Sequence, residues 1–159
     1  MIPMKQKTIK LLSLLILMAS LPGATLWNAF KSTADSQPEE QPLLPMMQKL
    51  MVQMNRINTG IYMQDYRLID TTAHNIAHHP KIARSQMKKI KKVLGSEIKK
   101  FVYYDLQMVH SHADSMSMAA RRENMQQVLE HYEIVQRGCV NCHVDFRTEL
   151  REVLHPDQE

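Results

Sequence analysis

The sequence predicts an all-α protein, folded as an antiparallel four-helix bundle. Aromatic residues make up only 6% of the 159 residues, whereas methionine occurs 13 times. This composition favours helices, because strands draw on aromatic and β-branched side chains. Apolar residues recur at alternating spacings of three and four along four segments, as in helices that share a buried seam. The length suits one domain and a tail. With no evident catalytic acid, base or nucleophile, we expect a protein that is not an enzyme.

The first residues are typical of an exported chain. Residues 1–10 contain three lysines and no acid, and residues 11–21 form an uncharged apolar run, which is the order of a signal sequence. We interpret residues 1–24 as a signal peptide or, if uncleaved, as a membrane anchor with residues 11–30 as the tether. Both interpretations predict a periplasmic location, either soluble or anchored at the N-terminus.

The folded domain is predicted at residues 43–154. Residues 31–45 are polar almost to their end and contain three prolines, which predicts a flexible linker over residues 25–42. Residues 155–159 are predicted to be a short C-terminal tail.

Seam residues mark the first two helices. The first helix is expected to end at Asn58-Thr59-Gly60, and the second at His79-Pro80, because proline disfavours helix at the residue before it. The seam of helix one comprises Leu43, Met47, Leu50, Met54, Ile57 and Ile61, and that of helix two comprises Tyr62, Tyr66, Ile69, Ala73 and Ile76.

The third apolar segment is too long for one uninterrupted helix, and Gly95-Ser96 is its predicted break. Its seam continues through Val102 and either Asp105 or Leu106. The last helix is predicted to start after Asn124, whose side chain would accept from the backbone of Gln127 while Gln127 reaches back. The seam of this helix comprises Met125, Val128, Tyr132, Val135, Cys139, Cys142, Phe146 and Leu150.

Both cysteines of the chain lie in the run Cys139-Val140-Asn141-Cys142-His143. Two thiols on adjacent turns of one helix face, followed directly by an imidazole, are the pattern of c-type haem attachment. A redox C-x-x-C would need a βαβ setting, and a zinc site would need further ligands. The sequence therefore predicts one covalent haem c on Cys139 and Cys142, with His143 as the proximal ligand of the haem iron.

The ending CVNCHVDFR of a helical, exported chain resembles the cytochrome c′ family and its low-spin four-helix relatives. The resemblance covers roughly residues 43–154, and its specific element is the haem motif. It implies a four-helix bundle that is often a homodimer, with the haem near one end, histidine on one iron face and a helix-one residue on the other.

Met47 is the candidate distal ligand of the iron. Its spacing to Leu50, Met54 and Ile57 matches the run that begins with the distal residue in related four-helix cytochromes. Met46, Met51 or another helix-one residue is an alternative, and so is an open or water-bound position with Met47 as core filler. A methionine ligand suits a one-electron carrier, whereas an open site suits a gas-binding protein for NO or CO. We predict the electron carrier.

Two smaller groups have alternative interpretations. Arg147 lies one turn beyond His143, where it would contact the proximal face or a haem propionate, or remain a solvated ion-pair partner. His74, His78 and His79 could bind copper or zinc, which makes a periplasmic metal-binding protein a further alternative; otherwise they are surface or helix-end histidines.

The charge pattern argues against nucleic-acid binding. The formal charge of +4 falls to +1 without Lys5, Lys7 and Lys10, and no base-reading helix accompanies it. Between Lys81 and Lys100 there are eight basic residues and one acid, Glu97. This stripe predicts encounter with acidic redox partner proteins or an anionic membrane surface, unless it is only a solvated face.

Overall fold

A computed structural model describes residues 39–151 of the chain. The predicted signal segment (1–24), most of the predicted linker (25–42) and the predicted tail (155–159) lie outside these residues. Within the described part, no helix is both long and apolar enough to cross a bilayer.

The described chain is almost entirely helical, which confirms the all-α prediction. The helices are α1 Leu43–Met63, α2 Tyr66–Ala77, α3 Arg84–Leu94, α4 Ile98–Tyr103, α5 Ser111–Arg121 and α6 Met125–Phe146, with a 3-10 turn at Gly95–Glu97 and a π-helical segment at Tyr104–His110. The 3-10 turn separates α3 from α4. The seven-residue π-helical segment joins α4 to α5, so that these two helices form one continuous helical run.

Two short strands join the beginning of the described chain to the α2–α3 connection. β1 (Glu40–Gln41) pairs in parallel with β2 (Lys81–Ile82). β1 lies in the last residues of the predicted linker, and the Glu40 carboxylate also pairs with Arg84 Nε at 2.9 Å.

Helix α1 extends past its predicted end. Asn58-Thr59-Gly60 remains helical, and the helix ends at Gln64, which adopts a left-handed conformation with φ 53°. Gly60 is buried inside α1, and a Cβ there would lie 2.8 Å from Ile69 Cγ1. The glycine therefore allows α1 and α2 to approach closely instead of ending the helix.

Helix α2 begins later than predicted. Tyr62 belongs to α1 and is 79% exposed, so its assignment to the seam of helix two was wrong. The Asp65 carboxylate caps α2 by accepting the Leu68 N–H at 2.9 Å. The helix ends at Ala77, close to the predicted stop at His79-Pro80.

The predicted break in the third segment is confirmed at Gly95, which adopts φ 52°. The predicted seam position Val102 was wrong, because Val102 is exposed and Phe101 and Tyr104 are buried instead. The 3-10 turn and the π-helical segment each change the helical register, and a regular spacing cannot follow such a change.

The start of α6 is confirmed. The Asn124 side chain accepts the Gln127 N–H at 3.1 Å. The side chain of Gln127 instead accepts a hydrogen bond from Arg122 Nη2 at 3.2 Å, so only one half of the predicted capping box forms.

Two groups of buried side chains fill the interior. The central cluster joins α1, α2, α5 and α6, and the end cluster joins the start of α1 with α3, α4 and the end of α6. The central cluster includes Ile57, Ile69, Ile76, Met116, Val128 and Val135, and the end cluster includes Leu43, Met46, Ile90, Phe101, Tyr104, Phe146 and Leu150.

Candidate functional site

Cys139 and Cys142 lie on adjacent turns of α6, on the face that packs against the rest of the fold. Both thiols are free and half-buried. Cys139 packs against the central cluster and Cys142 against the end cluster. The cysteine pair therefore lies where the two clusters meet, in the seam that the spacing predicts.

The surroundings keep both thiols protonated. Burial raises the pKa of the Cys142 thiol to about 12, and the Asp105 carboxylate adds to this effect. Burial raises the pKa of Cys139 as well. Because the thiolate is the nucleophilic form, these two thiols are weak nucleophiles at neutral pH.

A glycine brings α6 close to the π-helical segment just before the first thiol. A Cβ on Gly138 would lie 2.7 Å from Met108 Cβ and 3.4 Å from Val109 Cγ2. Gly138 is not among the site residues predicted from the sequence, although a glycine inside a helical run next to a motif is a signal of close packing.

His143 and Arg147 lie on the outer side of the end of α6. Both side chains are exposed, and the Arg147 N–H donates to the His143 carbonyl oxygen at 3.1 Å. Phe146 between them is buried and meets the Phe101 ring edge-on, with 5.9 Å between the ring centroids. The imidazole of the motif therefore borders solvent, while the thiols and Phe146 face inward.

The methionines at the start of α1 differ in burial. Met46 is 1% exposed and is part of the end cluster, Met47 is half-buried against the same cluster, and Met51 is 61% exposed. Since Cys142 packs against this cluster too, Met46 and Met47 share its surroundings, whereas Met51 points to solvent.

A polar triad that the sequence did not reveal connects α4 to the end of α6. The Asp145 carboxylate accepts a hydrogen bond from the Tyr104 hydroxyl at 2.6 Å and pairs with Lys100 Nζ at 2.8 Å. Lys100 and then Tyr104 lower the pKa of Asp145 by bonding to its charged form. The triad fixes the turn of α6 that follows His143.

The structure divides the histidine group of α2. The His74 and His78 rings stack at 4.1 Å between centroids and lie near Asp114 on the surface. His79 belongs to a different group, with Asp105 and His110 of the π-helical segment. The three histidines that the sequence grouped together therefore do not share one site.

The His79–Asp105–His110 group is partly buried and surrounds one carboxylate oxygen. His79 Nε2 lies 3.3 Å and His110 Nε2 lies 3.6 Å from Asp105 Oδ1. Burial lowers the pKa of His79, but the nearby Asp105 carboxylate and the Pro80 carbonyl oxygen favour the charged form more strongly, so the net pKa is raised. Burial lowers the pKa of His110.

Every basic side chain between Lys81 and Lys100 is exposed. Two of them have acidic partners, since Arg84 pairs with Glu40 and Lys100 pairs with Asp145. The apolar side of α3 contributes Ile90 and Leu94 to the end cluster. The basic face of α3 therefore lies over the cluster that contacts Cys142.

The chain matches no protein-family model, no curated protein and no solved structure.

Proposed function

We propose that this chain is an exported mono-haem c-type cytochrome that acts as a one-electron carrier. The observation that supports it most is the pair of free, inward-facing thiols one turn apart on α6, followed at once by an exposed imidazole. We further propose that α1, α2, the long helix through α4 and α5, and α6 form an antiparallel four-helix bundle like that of the cytochrome c′ family. Close packing of α1 on α2, α2 on α5 and α5 on α6 supports this order.

The packing around the thiols fits a flat apolar cofactor. The backbones of α1 and α6 make little direct contact, and side chains of the end cluster fill the space between them. Met46 and Met47 from α1 belong to the same cluster as Phe146 and Cys142 from α6. Apolar and aromatic side chains around two neutral thiols suit thioether attachment of a porphyrin better than they suit a charged metal–thiolate site.

In this proposal Cys139 and Cys142 would anchor the haem, and His143 would be its proximal ligand. Bound haem supplies an iron centre that cycles between two oxidation states one electron apart. Met47 would provide the distal thioether, and the buried cluster around it would exclude water and small gases. Arg147, exposed one turn after His143, would contact the proximal side or a propionate.

The basic face of α3 would guide the carrier to its partners. Lys88, Lys91 and Lys92 are exposed on a helix whose other side covers the end cluster. A partner with an acidic surface, attracted over about 8–10 Å at physiological salt, would dock over the cofactor end of the domain.

Covalent haem content tests the proposal. The full chain, produced in a host that matures c-type cytochromes, should be coloured and should retain haem after denaturation, with a mass increase of one haem. Cys139→Ser and Cys142→Ser should each lose one thioether bond, whereas Val140→Ser, between the two thiols, should not. Colourless protein with two free or mutually bonded sulfurs would contradict the proposal.

Carbon monoxide separates the carrier from a gas-binding protein. If a methionine fills the sixth position, the reduced spectrum should change little on addition of the gas. Rapid and complete formation of a carbonyl complex would favour a gas-binding protein of the cytochrome c′ type instead.

A further inference from the structure

We propose that His79, Asp105 and His110, none of which is a proposed haem ligand, form a binding site for one divalent transition-metal ion of the zinc class. The three residues offer one ligand atom each, and the three atoms lie within 4.8 Å of one another. This site goes beyond electron transfer and does not depend on whether the chain binds haem.

The spacing of the ligand atoms matches a tetrahedral ion. A tetrahedral ion with bonds of about 2.0–2.1 Å keeps neighbouring ligand atoms about 3.3–3.4 Å apart. The two histidine nitrogens lie 3.3 Å and 3.6 Å from Asp105 Oδ1. An ion could therefore enter with small side-chain movements and would retain one open position for water.

The backbone fixes the tautomer that metal binding needs. His79 Nδ1 lies 2.8 Å from the Pro80 carbonyl oxygen and His110 Nδ1 lies 2.6 Å from the Ala77 carbonyl oxygen. Carbonyl oxygens only accept hydrogen bonds, so Nδ1 bears a proton in both rings, and in the neutral imidazole the Nε2 lone pair points to Asp105. Metal-bound histidines are oriented in the same way by the donation of their other ring N–H.

With neutral imidazoles, two hydrogen-bond acceptors, His79 Nε2 and Asp105 Oδ1, face each other at the centre of the His79–Asp105–His110 group. The neutral His79 Nε2 and Asp105 Oδ1 both present lone pairs across 3.3 Å, and His79 Nε2 is buried without a hydrogen-bond partner. The His79 side chain is only 7% exposed, so water does not satisfy it readily. Either a proton on His79 or a cation must occupy this point, and the second nitrogen from His110 favours the cation.

The π-helical segment creates the group. Asp105 and His110 are five residues apart and would point about 140° away from each other on a regular α-helix. The wider π turn, with its i→i+5 hydrogen bonds, brings both residues to the side of α2 where His79 lies. Such π-helical turns are rare and occur frequently at functional sites.

The donor atoms of the group indicate the class of ion. Two imidazole nitrogens and one carboxylate oxygen suit Zn²⁺, as in three-ligand zinc sites with an open fourth position. His79 also lines a surface cavity of about 360 Å³ between α1 and α2, together with Met46, Gln53 and His74. The Asp105 and His110 side chains are 31% and 25% exposed, so the group borders solvent although His79 is buried.

Zinc binding by the haem-loaded full chain tests the site, with zinc and iron counted separately by mass spectrometry after gel filtration. The His78→Ala variant serves as the background, because it removes one ligand of the exposed His74–His78–Asp114 group. We expect one tightly bound Zn²⁺ per chain in that background. Asp105→Asn or His110→Gln added to it should weaken binding at least about tenfold, since even outer partners of ligands cost that much.

X-ray absorption at the zinc edge provides a readout that does not depend on how the variants fold. In the zinc-loaded His78→Ala chain we expect two imidazoles and a carboxylate oxygen at about 2.0–2.2 Å. If the His78→Ala chain does not take up zinc, the proposed site is wrong, and His79 and Asp105 form only an ion pair. Retention of full affinity in Asp105→Asn, or a zinc shell without two imidazoles, would overturn it equally. None of these outcomes changes the haem content that tests the proposed function.

Discussion

Gly138 of α6 faces Met108 of the π-helical segment so closely that an added Cβ would lie 2.7 Å from the Met108 Cβ. This contact brings α6 against the π-helical segment one residue before Cys139. Because the opposing atom is a Cβ fixed to its backbone, it cannot turn away as the end of a flexible side chain could.

We therefore expect Gly138→Ala to destabilise the fold by about 1–3 kcal/mol, as overpacked interiors do, despite the better helix propensity of alanine. Thermal unfolding followed by circular dichroism measures the change. Gln136→Ala, at an exposed position of the same helix, should change stability by less than about 0.5 kcal/mol. Equal stability of Gly138→Ala and the parent chain would mean that the helices separate at low cost.

Met46 and Met47 should respond differently to truncation. Met46 is fully buried, so Met46→Ala should cost about 2–5 kcal/mol and, in the haem-bound chain that we propose, should leave the haem spectrum unchanged. Met47→Ala should cost less, because Met47 is half-buried, but it should abolish the weak sulfur-to-iron absorption band and admit carbon monoxide. Loss of the band in Met46→Ala alone would assign the distal position to Met46.

The Asp145 triad predicts a pH dependence of stability. Lys100 and Tyr104 lower the pKa of Asp145 in the folded chain below the ordinary pKa of 3.8. The stabilisation of the fold by the charged Asp145 is therefore complete above the ordinary pKa and is lost as the pH falls through the lowered pKa of the folded chain. The melting temperature of the parent chain should exceed that of Asp145→Asn at pH 7, and the difference should shrink below about pH 4. Glu149→Gln, at an exposed position, should show no such convergence.

The free thiols of the folded chain should be unreactive. The pKa of the Cys142 thiol is raised to about 12, and only the thiolate attacks iodoacetamide. In the folded chain, produced without haem, Cys142 should therefore react with iodoacetamide at pH 7.5 far more slowly than it does in the urea-unfolded chain. Peptide mass spectrometry over time measures both rates. Asp105→Asn should accelerate the reaction only in part, since burial remains the main cause. Similar rates in folded and unfolded chain would contradict the buried position.

If the chain is the electron carrier that we propose, the basic face of α3 should control its reactions with charged electron acceptors. In the double variant Lys88→Glu, Lys92→Glu, the reduced protein should be oxidised more slowly by the anion hexacyanoferrate(III). The same variant should be oxidised faster by a cationic cobalt complex. Added salt should reduce both differences. Arg56→Glu, Arg67→Glu changes the net charge equally at exposed positions of α1 and α2. If it has the same effect, net charge and not the α3 face controls the rate.

Local patterns predicted the parts of this fold that depend on local chemistry. The Asn124 cap, the break at Gly95 and the inward position of both cysteines follow from spacing and side-chain type, and the structure has all three. Gly60 was misinterpreted because a glycine that lets two helices touch and a glycine that ends a helix look the same in one sequence.

Other features depend on contacts between distant parts of the chain. No spacing rule places His79 beside Asp105 and His110, because His79 leaves the end of α2 in an irregular turn and the other two lie on a π-helical segment. The Tyr104–Asp145 hydrogen bond joins residues 41 positions apart. Such contacts appear only when the helices are assembled.

The seven-residue π-helical segment also determines how the domain could have arisen and how it can change. A π turn contains about one residue more than the α turn it replaces, so deletion of a single residue between Tyr104 and His110 would restore a continuous α-helix. Because a full α turn would replace a full π turn, α4 and α5 would keep about their present alignment after the deletion. The π-helical segment is therefore a place in the domain where one codon can be lost while the helices on either side stay aligned.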